Sequence, residues 1–341
     1  MAISKFRLYG ASLAQLKTLC EELGLPRFAH KQIAKWLYSR FVSDIDSMTD
    51  LSKVAREILK EHCELGLSAP LKESVSQDGT KKYLFRTSRG EYIESALIPD
   101  GERMTLCVSS QAGCKMGCKF CATGRMGFRH HLTATEIINQ ILSIPERDKL
   151  TNLVFMGMGE PLDNIDNLLL TLDILTAEWG MAWSPTRITV STAGVVRTLP
   201  RLLDESKVHI AVSLHNPFPE ERREIMPIEN SYSIREVCDI LRRYDFTHQR
   251  RVSFEYIVLE GMNSSMRHIK ELSRLLDGIK CRINLIRFHK IPDSPFYSPE
   301  LEKIIEFRDT LTKRGIQTTL RASRGEDIEA ACGLLSTAEK R

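Results

Sequence analysis

Ser110-Gln111-Ala112-Gly113-Cys114-Lys115-Met116-Gly117-Cys118-Lys119-Phe120-Cys121 puts three cysteines within eight residues, separated by three residues and then by two. Three thiolates spaced this way can hold three irons of a four-iron, four-sulfur cube. Such clusters usually take four cysteines, so the missing ligand leaves one iron open to a small molecule. Gly113 and Gly117 allow the backbone to wrap closely around a cube, and Phe120 would screen it from water. Two plainer readings compete. One is a zinc site, which wants four ligands and could take His130 or His131 as the fourth. The other is three unrelated buried thiols. The placement of the segment favours the cluster, because it lies in a loop that follows a strand and opens a βα series.

Working outward, strand patterns at 105–109, 153–156, 187–192, 208–215, 251–259 and 282–288 alternate with helical ones. Thr133 and Glu136 form a capping box that starts a helix over 133–142. Such alternation predicts an α/β fold of parallel strands and crossover helices. Six units make a partial (β/α)6 barrel, closed by a strand at 316–321 and a helix near 327–335. Before the cysteines, Asp78-Gly79, Ser88-Arg89-Gly90 and Asp100-Gly101 are turn signals. They delimit a three-stranded meander of 82–86, 92–98 and 104–109. If Asp100-Gly101 is a two-residue turn, counting outward sets Glu94 opposite Cys107.

The first 65 residues read as a helical module. Ser12 and Gln15 suggest a capping box ahead of Leu16, Leu19, Cys20 and Leu23, and Gly24 with Pro26 ends that helix. A second helix spans 29–38 with Ile33, Trp36 and Leu37 inward. A third spans 51–62 with Val54, Ile58 and Leu59 inward. Their polar faces carry Lys31, Lys35, Arg40, Lys53, Arg56 and Lys60, a surface suited to RNA backbone. The expected domains are therefore a helical module at 1–65, a linking meander at 66–103, the barrel with its C-terminal segment at 104–336, and a tail at 337–341.

Composition narrows the class. Of 341 residues, 42% are hydrophobic and 27% charged, as in an ordinary folded globular chain. No apolar run approaches the roughly 20 residues of a membrane helix, and the first residues lack the apolar region of a secretion signal, so a cytoplasmic protein is expected. With 48 Lys+Arg against 44 Asp+Glu, a nucleic-acid partner is permitted but not demanded. The pairs Arg222-Arg223, Arg242-Arg243 and Arg250-Arg251 read as solvated. Nine cysteines in a reducing compartment are not a disulfide framework. Cys20, Cys63, Cys238 and Cys281 fall in apolar contexts and read as core.

The Cys-x3-Cys-x2-Cys loop at the head of a barrel resembles the radical S-adenosylmethionine (SAM) superfamily. The likeness goes further. Residues 105–111, the cluster loop, Phe155-Met156-Gly157-Met158-Gly159-Glu160-Pro161-Leu162, Ser213-Leu214-His215 and Ala330-Ala331-Cys332-Gly333 together resemble the RlmN/Cfr family of RNA adenine methyltransferases. That resemblance covers nearly the whole chain. It implies a [4Fe–4S] cluster on Cys114, Cys118 and Cys121, with SAM chelating the open iron and cleaved to a 5′-deoxyadenosyl radical, chemistry that side chains alone cannot supply. It implies methylation of an adenine in the peptidyl-transferase loop of 23S rRNA and of the adenine beside the anticodon in some tRNAs. A flavodoxin or ferredoxin as electron donor and a monomeric enzyme are implied as well.

The resemblance also assigns roles. Cys332 matches the methyl-carrying cysteine, and Cys107 matches the thiol that resolves a protein–RNA crosslink and leaves a disulfide. Glu94 matches the proposed proton acceptor. Gly159, Glu160, Ser191, Ser213, Leu214, His215 and Asn284 match SAM contacts, all near C-terminal strand ends, where barrel enzymes build their sites. The RlmN type methylates C2 and the Cfr type C8. Pro161, and Arg324-Gly325 before the last predicted helix, are similar to the C2 type; the C8 type typically has Ala in place of Pro161. A C8 methyltransferase, another radical SAM enzyme and a zinc-stabilised RNA-binding protein are the alternatives.

Overall fold

The computed structural model describes residues 5–246 and 251–337. At the N-terminus, β1 (Phe6–Arg7) pairs in parallel with β2 (Cys63–Glu64). Between them lie α1 (Leu13–Glu22), α2 (Ala29–Tyr38) and α3 (Lys53–His62). The expected capping box starts α1: Ser12 Oγ accepts from Gln15 N at 3.0 Å, and Gln15 Oε1 accepts from Ser12 N at 2.8 Å. The buried stripe of α3 continues from Leu51 through Ala55 and Leu59. Val54, expected inward, lies off that i, i+4, i+8 line and is 69% exposed. Trp36 is only half-buried, its indole N–H donating to Asp50 Oδ1 at 2.5 Å. The module docks on the barrel through Thr135, whose Oγ1 donates to Tyr9 O at 2.7 Å, and through Tyr38 packed edge-on to Trp179.

Among the described residues one 10-stranded sheet dominates, in the order β14-β13-β12-β11-β10-β9-β6-β5-β4-β3. Strands β3 (Lys72–Val75), β4 (Lys81–Arg86), β5 (Tyr92–Asp100) and β6 (Arg103–Cys107) form an antiparallel run; β3 escaped the sequence reading because it alternates poorly and its residues are largely exposed. From β6 onward β9 (Asn152–Phe155), β10 (Ile188–Thr192), β11 (His209–Ser213), β12 (Val252–Val258), β13 (Cys281–Arg287) and β14 (Thr318–Leu320) are parallel. Helices α5 (Ala134–Leu142), α6 (Ile165–Thr176), α7 (Leu199–Glu205), α10 (Met266–Leu275) and α11 (Leu301–Lys313) are crossovers. The sheet remains open as a partial barrel. Every residue of β12 is buried, Ser253 and Glu255 included, as befits a strand covered on both faces.

Three further expectations change. The β5–β6 register pairs Asp100 with Arg103 and Ala96 with Cys107, so Glu94 is not opposite Cys107. The turn occupies Gly101-Glu102, with Gly101 in the left-handed region at φ 58°. A slip of two keeps each side chain on its face. The helix expected near 327–335 is a single 3-10 turn, Glu326–Ile328, followed by an irregular segment. Left-handed backbone at Gly325, Glu329 and Gly333 excludes a right-handed helix there. Arg222 is fully buried, not solvated, whereas Arg223 is exposed. Arg250 and residues 338–341 of the expected tail lie outside the described residues. No described helix is long and apolar enough to cross a membrane.

Candidate active site

At the C-terminal ends of the parallel strands lies a cavity of about 450 Å3, bordered by Cys114, Cys118 and Cys121. Strands β7 (Gln111–Gly113) and β8 (Phe128–His131) pair to hold the cysteine loop, and α4 (Ala122–Met126) begins directly after Cys121. Gly113 is obligatory, because a Cβ there would lie 1.9 Å from Gly127 O. Cys114 N donates to Gly127 O at 3.1 Å and Lys119 N to Ile225 O at 3.0 Å. All three thiols are free. Burial pushes Cys114 up to about 12, Cys118 well above the usual thiol range, and Cys121 upward as well. A bound cation lowers such thiols and holds them as thiolates.

His130 and His131 do not border the cavity; His131 Nδ1 instead meets Gln111 Nε2 at 3.1 Å. Among the described residues no group of three or more Cys, His, Asp or Glu closes to the spacing of a single ion site. Three thiols on one wall, facing open cavity, fit three corners of an iron–sulfur cube with the fourth iron free for a ligand.

The opposite wall comes from the ends of β9, β10 and β11. Gly159, Glu160, Ser191, Ser213 and His215 border the cavity; Leu214 and Asn284 do not. Gly159 is needed chiefly for packing, since a Cβ would lie 2.4 Å from Gln111 Cβ. Buried Glu160 accepts from Thr192 Oγ1 and Ala193 N, each at 2.7 Å, and from Leu162 N at 3.1 Å. Burial outweighs these bonds and lifts its carboxyl to about 7. His215, at φ 56°, accepts from Ile257 N through Nδ1 at 2.9 Å, so Nε2 carries the proton. Burial and the Arg222 charge push it down to about 3, keeping it neutral. Its ring packs edge-on to Phe120 at 4.8 Å. Leu214 is buried. Asn284 Nδ2 donates to Glu255 Oε1 at 2.8 Å, orienting that carboxylate instead of reaching the cavity.

Cys107 and Cys332 also border the cavity, although 225 residues apart in sequence. Cys107 packs with Ala96, Val154 and Ala330, so the C-terminal segment lies directly over it. Burial raises Cys107 to about 12; Cys332 is exposed, but the surrounding cavity walls desolvate its thiol and raise it to about 11, while Arg321 draws both down. Arg321 Nη1 lies 3.3 Å from Glu255 Oε2. Sequence reasoning missed Arg321 and Glu255, since neither belongs to a recognisable motif. Cys20, Cys63 and Cys238 are buried as expected, and Cys281 is half-buried.

Glu94 is buried but does not border the cavity. Its Oε1 lies 3.3 Å from Lys82 Nζ, itself buried, and its Oε2 accepts from Ser336 N at 3.0 Å and Thr337 N at 3.3 Å. Glu94 thus anchors the segment carrying Cys332. Glu94→Ala strands the Lys82 charge and is expected to cost about 3 kcal/mol or more in urea unfolding. A loss under about 1 kcal/mol, the range of exposed pairs, would show that the pair is not a buried anchor.

The radical SAM superfamily profile matches residues 108–274, and that of the ribosomal RNA large subunit methyltransferase N-terminal domain matches residues 6–65. The chain is 56% identical to a probable dual-specificity RNA methyltransferase RlmN of Phocaeicola vulgatus, covering 100% of this chain and 97% of that protein. It is 41% identical to the dual-specificity RNA methyltransferase RlmN of Marinobacter nauticus, covering 98% and 93%. The crystal structure of a radical SAM methyltransferase from Sphaerobacter thermophilus superposes with a TM-score of 0.90 at 42% identity, over 97% of this chain and 99% of that one. The superfamily implies SAM and a [4Fe–4S] cluster, which the three-thiol wall suits. With similarity of this degree running from end to end, the chain belongs to the RlmN family of radical SAM RNA methyltransferases.

Proposed function

We propose that this enzyme methylates C2 of an adenine in the peptidyl-transferase loop of 23S rRNA and of the adenine beside the anticodon of tRNA. Cys332 is the methyl carrier and Cys107 the thiol that frees the product. The observation that carries this reading is the meeting of the two thiols at the cavity that the cluster cysteines border, with Ala330 packed on Cys107. A bound cluster supplies the electron that cleaves SAM to a carbon radical. Adenine C2 is not nucleophilic, so the methyl must first rest on a thiol, and Cys332 is the exposed cysteine of the described chain.

Gly159, Glu160, Ser191, Ser213 and His215 hold SAM in this reading, with the His215 Nε2–H as a donor and Leu214 and Asn284 supporting the wall. The carbon radical takes a hydrogen atom from the S-methyl of Cys332, and the methylene so formed bonds to C2. The ring regains aromaticity by losing the C2 proton and one electron, for which an oxidised cluster would be the acceptor. Cys107 then attacks the Cys332 sulfur. The C–S bond breaks, its electron pair goes to the base-bound carbon, and that carbon takes up the proton the Cys107 thiol gives up. A methyl group and a Cys107–Cys332 disulfide form, the latter for a reductant to open. Glu94 accepts the proton lost from the base, after Ser336 and Thr337 release its carboxylate. The target adenine leaves its stack to enter the cavity. Exposed Lys31, Lys35 and Lys53 of the N-terminal module grip RNA backbone. A flavodoxin or ferredoxin donates the electron.

Unmethylated 23S rRNA and tRNA, treated anaerobically with holoenzyme, SAM and a reductant, should yield 2-methyladenosine on chromatographic nucleoside analysis; 8-methyladenosine would overturn the C2 assignment. Cys332→Ala should keep its iron yet take up no methyl label from SAM on intact protein. Label persisting at another residue would remove Cys332 from the carrier role.

A further inference from the structure

Arg222 is the largest fully buried side chain among the described residues. It lies on α8 (Pro219–Ile225), and its guanidinium spends its donors on the ends of two strands. Nε donates to Leu214 O at 2.9 Å, and Nη2 donates to Ser213 O at 2.8 Å and Ala193 O at 2.9 Å. Nη1 donates to Glu229, which is equally buried and also accepts from Ile234 N. Carbonyls beyond the last ladder bond need partners from elsewhere, and one planar fork supplies three of them. The same helix holds the cluster loop, through Lys119 N on Ile225 O at 3.0 Å. Ala193, whose carbonyl Arg222 binds, donates its own N–H to Glu160. Arg222 therefore ties the cysteine loop to the β10 and β11 ends that border the cavity.

The ion pair is also an electrostatic element. Arg222 and Ile225 are one turn apart on α8, and Ile225 O holds the N–H of Lys119, the residue after Cys118, so the buried guanidinium stands close to the cluster loop. Charge close to a cluster ligand is among the factors that set a cluster's reduction potential. A positive neighbour favours the state with one more electron, and a negative neighbour opposes it. Glu229 offsets Arg222, so each partner alone pushes the potential in its own direction.

We propose that Arg222, paired with Glu229, is a positioning residue of the SAM and cluster site: it sets the β10 and β11 ends against the cluster loop and fixes the local charge beside Cys118. The residue acts through backbone carbonyls and through its field, without touching SAM.

Two near-isosteric substitutions in the anaerobically reconstituted holoenzyme separate these actions. The midpoint potential is read by redox titration with electron paramagnetic resonance, and SAM affinity by equilibrium dialysis. Glu229→Gln keeps the hydrogen-bonding shape and deletes the negative charge, so its midpoint should rise. Arg222→Lys keeps the charge but cannot span three carbonyls and a carboxylate. Its midpoint should stay near the parent's, while SAM affinity falls about tenfold or more. A purely structural role predicts no rise in potential for Glu229→Gln. An unchanged or lowered midpoint in Glu229→Gln, or parental SAM affinity in Arg222→Lys, overturns the proposal. Neither readout involves RNA, so failure here leaves the adenine C2 assignment standing.

Discussion

Cys107→Ala enzyme expressed in cells is expected to purify with RNA covalently attached, surviving denaturation and vanishing on nuclease digestion. Cys107 ends β6 with its side chain buried against Ala96, Val154 and Ala330. Nothing in that setting holds the cluster or SAM. Under the two-thiol route its removal leaves cluster assembly and Cys332 methylation intact, and the crosslink forms but cannot be opened. The effect is qualitative, because product release falls to nothing while adduct accumulates. Adding Cys332→Ala should abolish the adduct, since the atom that joins protein to RNA is gone. A merely structural Cys107 predicts something else: stability lowered by on the order of 1 kcal/mol from a small buried truncation, and no bound RNA. Mass spectrometry of the denatured protein distinguishes the two. An RNA-free variant that still turns over would eliminate Cys107 as the resolving thiol.

Cys118→Ala should lose SAM cleavage altogether. Its thiol faces the cavity beside Cys114 and Cys121, and with two ligands left the cube lacks a corner. The parent, reconstituted anaerobically, should hold about four irons per chain and be brown. The variant should fall well below that and form no 5′-deoxyadenosine from SAM. The fold should survive, because Gly113, β7, β8 and the Lys119–Ile225 bond hold the loop without help from the Cys118 sulfur. Circular dichroism checks that point. Parental iron content together with parental SAM cleavage would show that Cys118 is not a ligand.

Much of the chain is legible in advance because the signals are local. Capping boxes at Ser12 and Thr133 are satisfied within three residues, so they survive whatever packs on them. Segments rich in β-branched and aromatic residues, such as 252–258, announce strands. The cysteine loop is local as well: spacing within eight residues limits where three sulfurs can go. What fails is what rests on a count or a frame. The hairpin register moved by two when the turn settled on Gly101-Glu102, and Val54 fell off the buried stripe of α3 by one helical position.

Sequence by itself determined the fold class, the alternation of parallel strands with crossover helices and the three-thiol loop, because each follows from spacing along a single stretch of chain. Tertiary structure alone decided which distant groups share the cavity. Cys107 and Cys332 meet there because the segment after β14 folds back over β6, anchored by Glu94 on Ser336 and Thr337 and by Asp78 on Gly325. Arg222 reads in sequence as half of a solvated basic pair. It became a buried clamp because three strand-end carbonyls and Glu229 converge on it. Burying a guanidinium is tolerable only where enough acceptors gather to replace water, and only the folded chain brings those acceptors together.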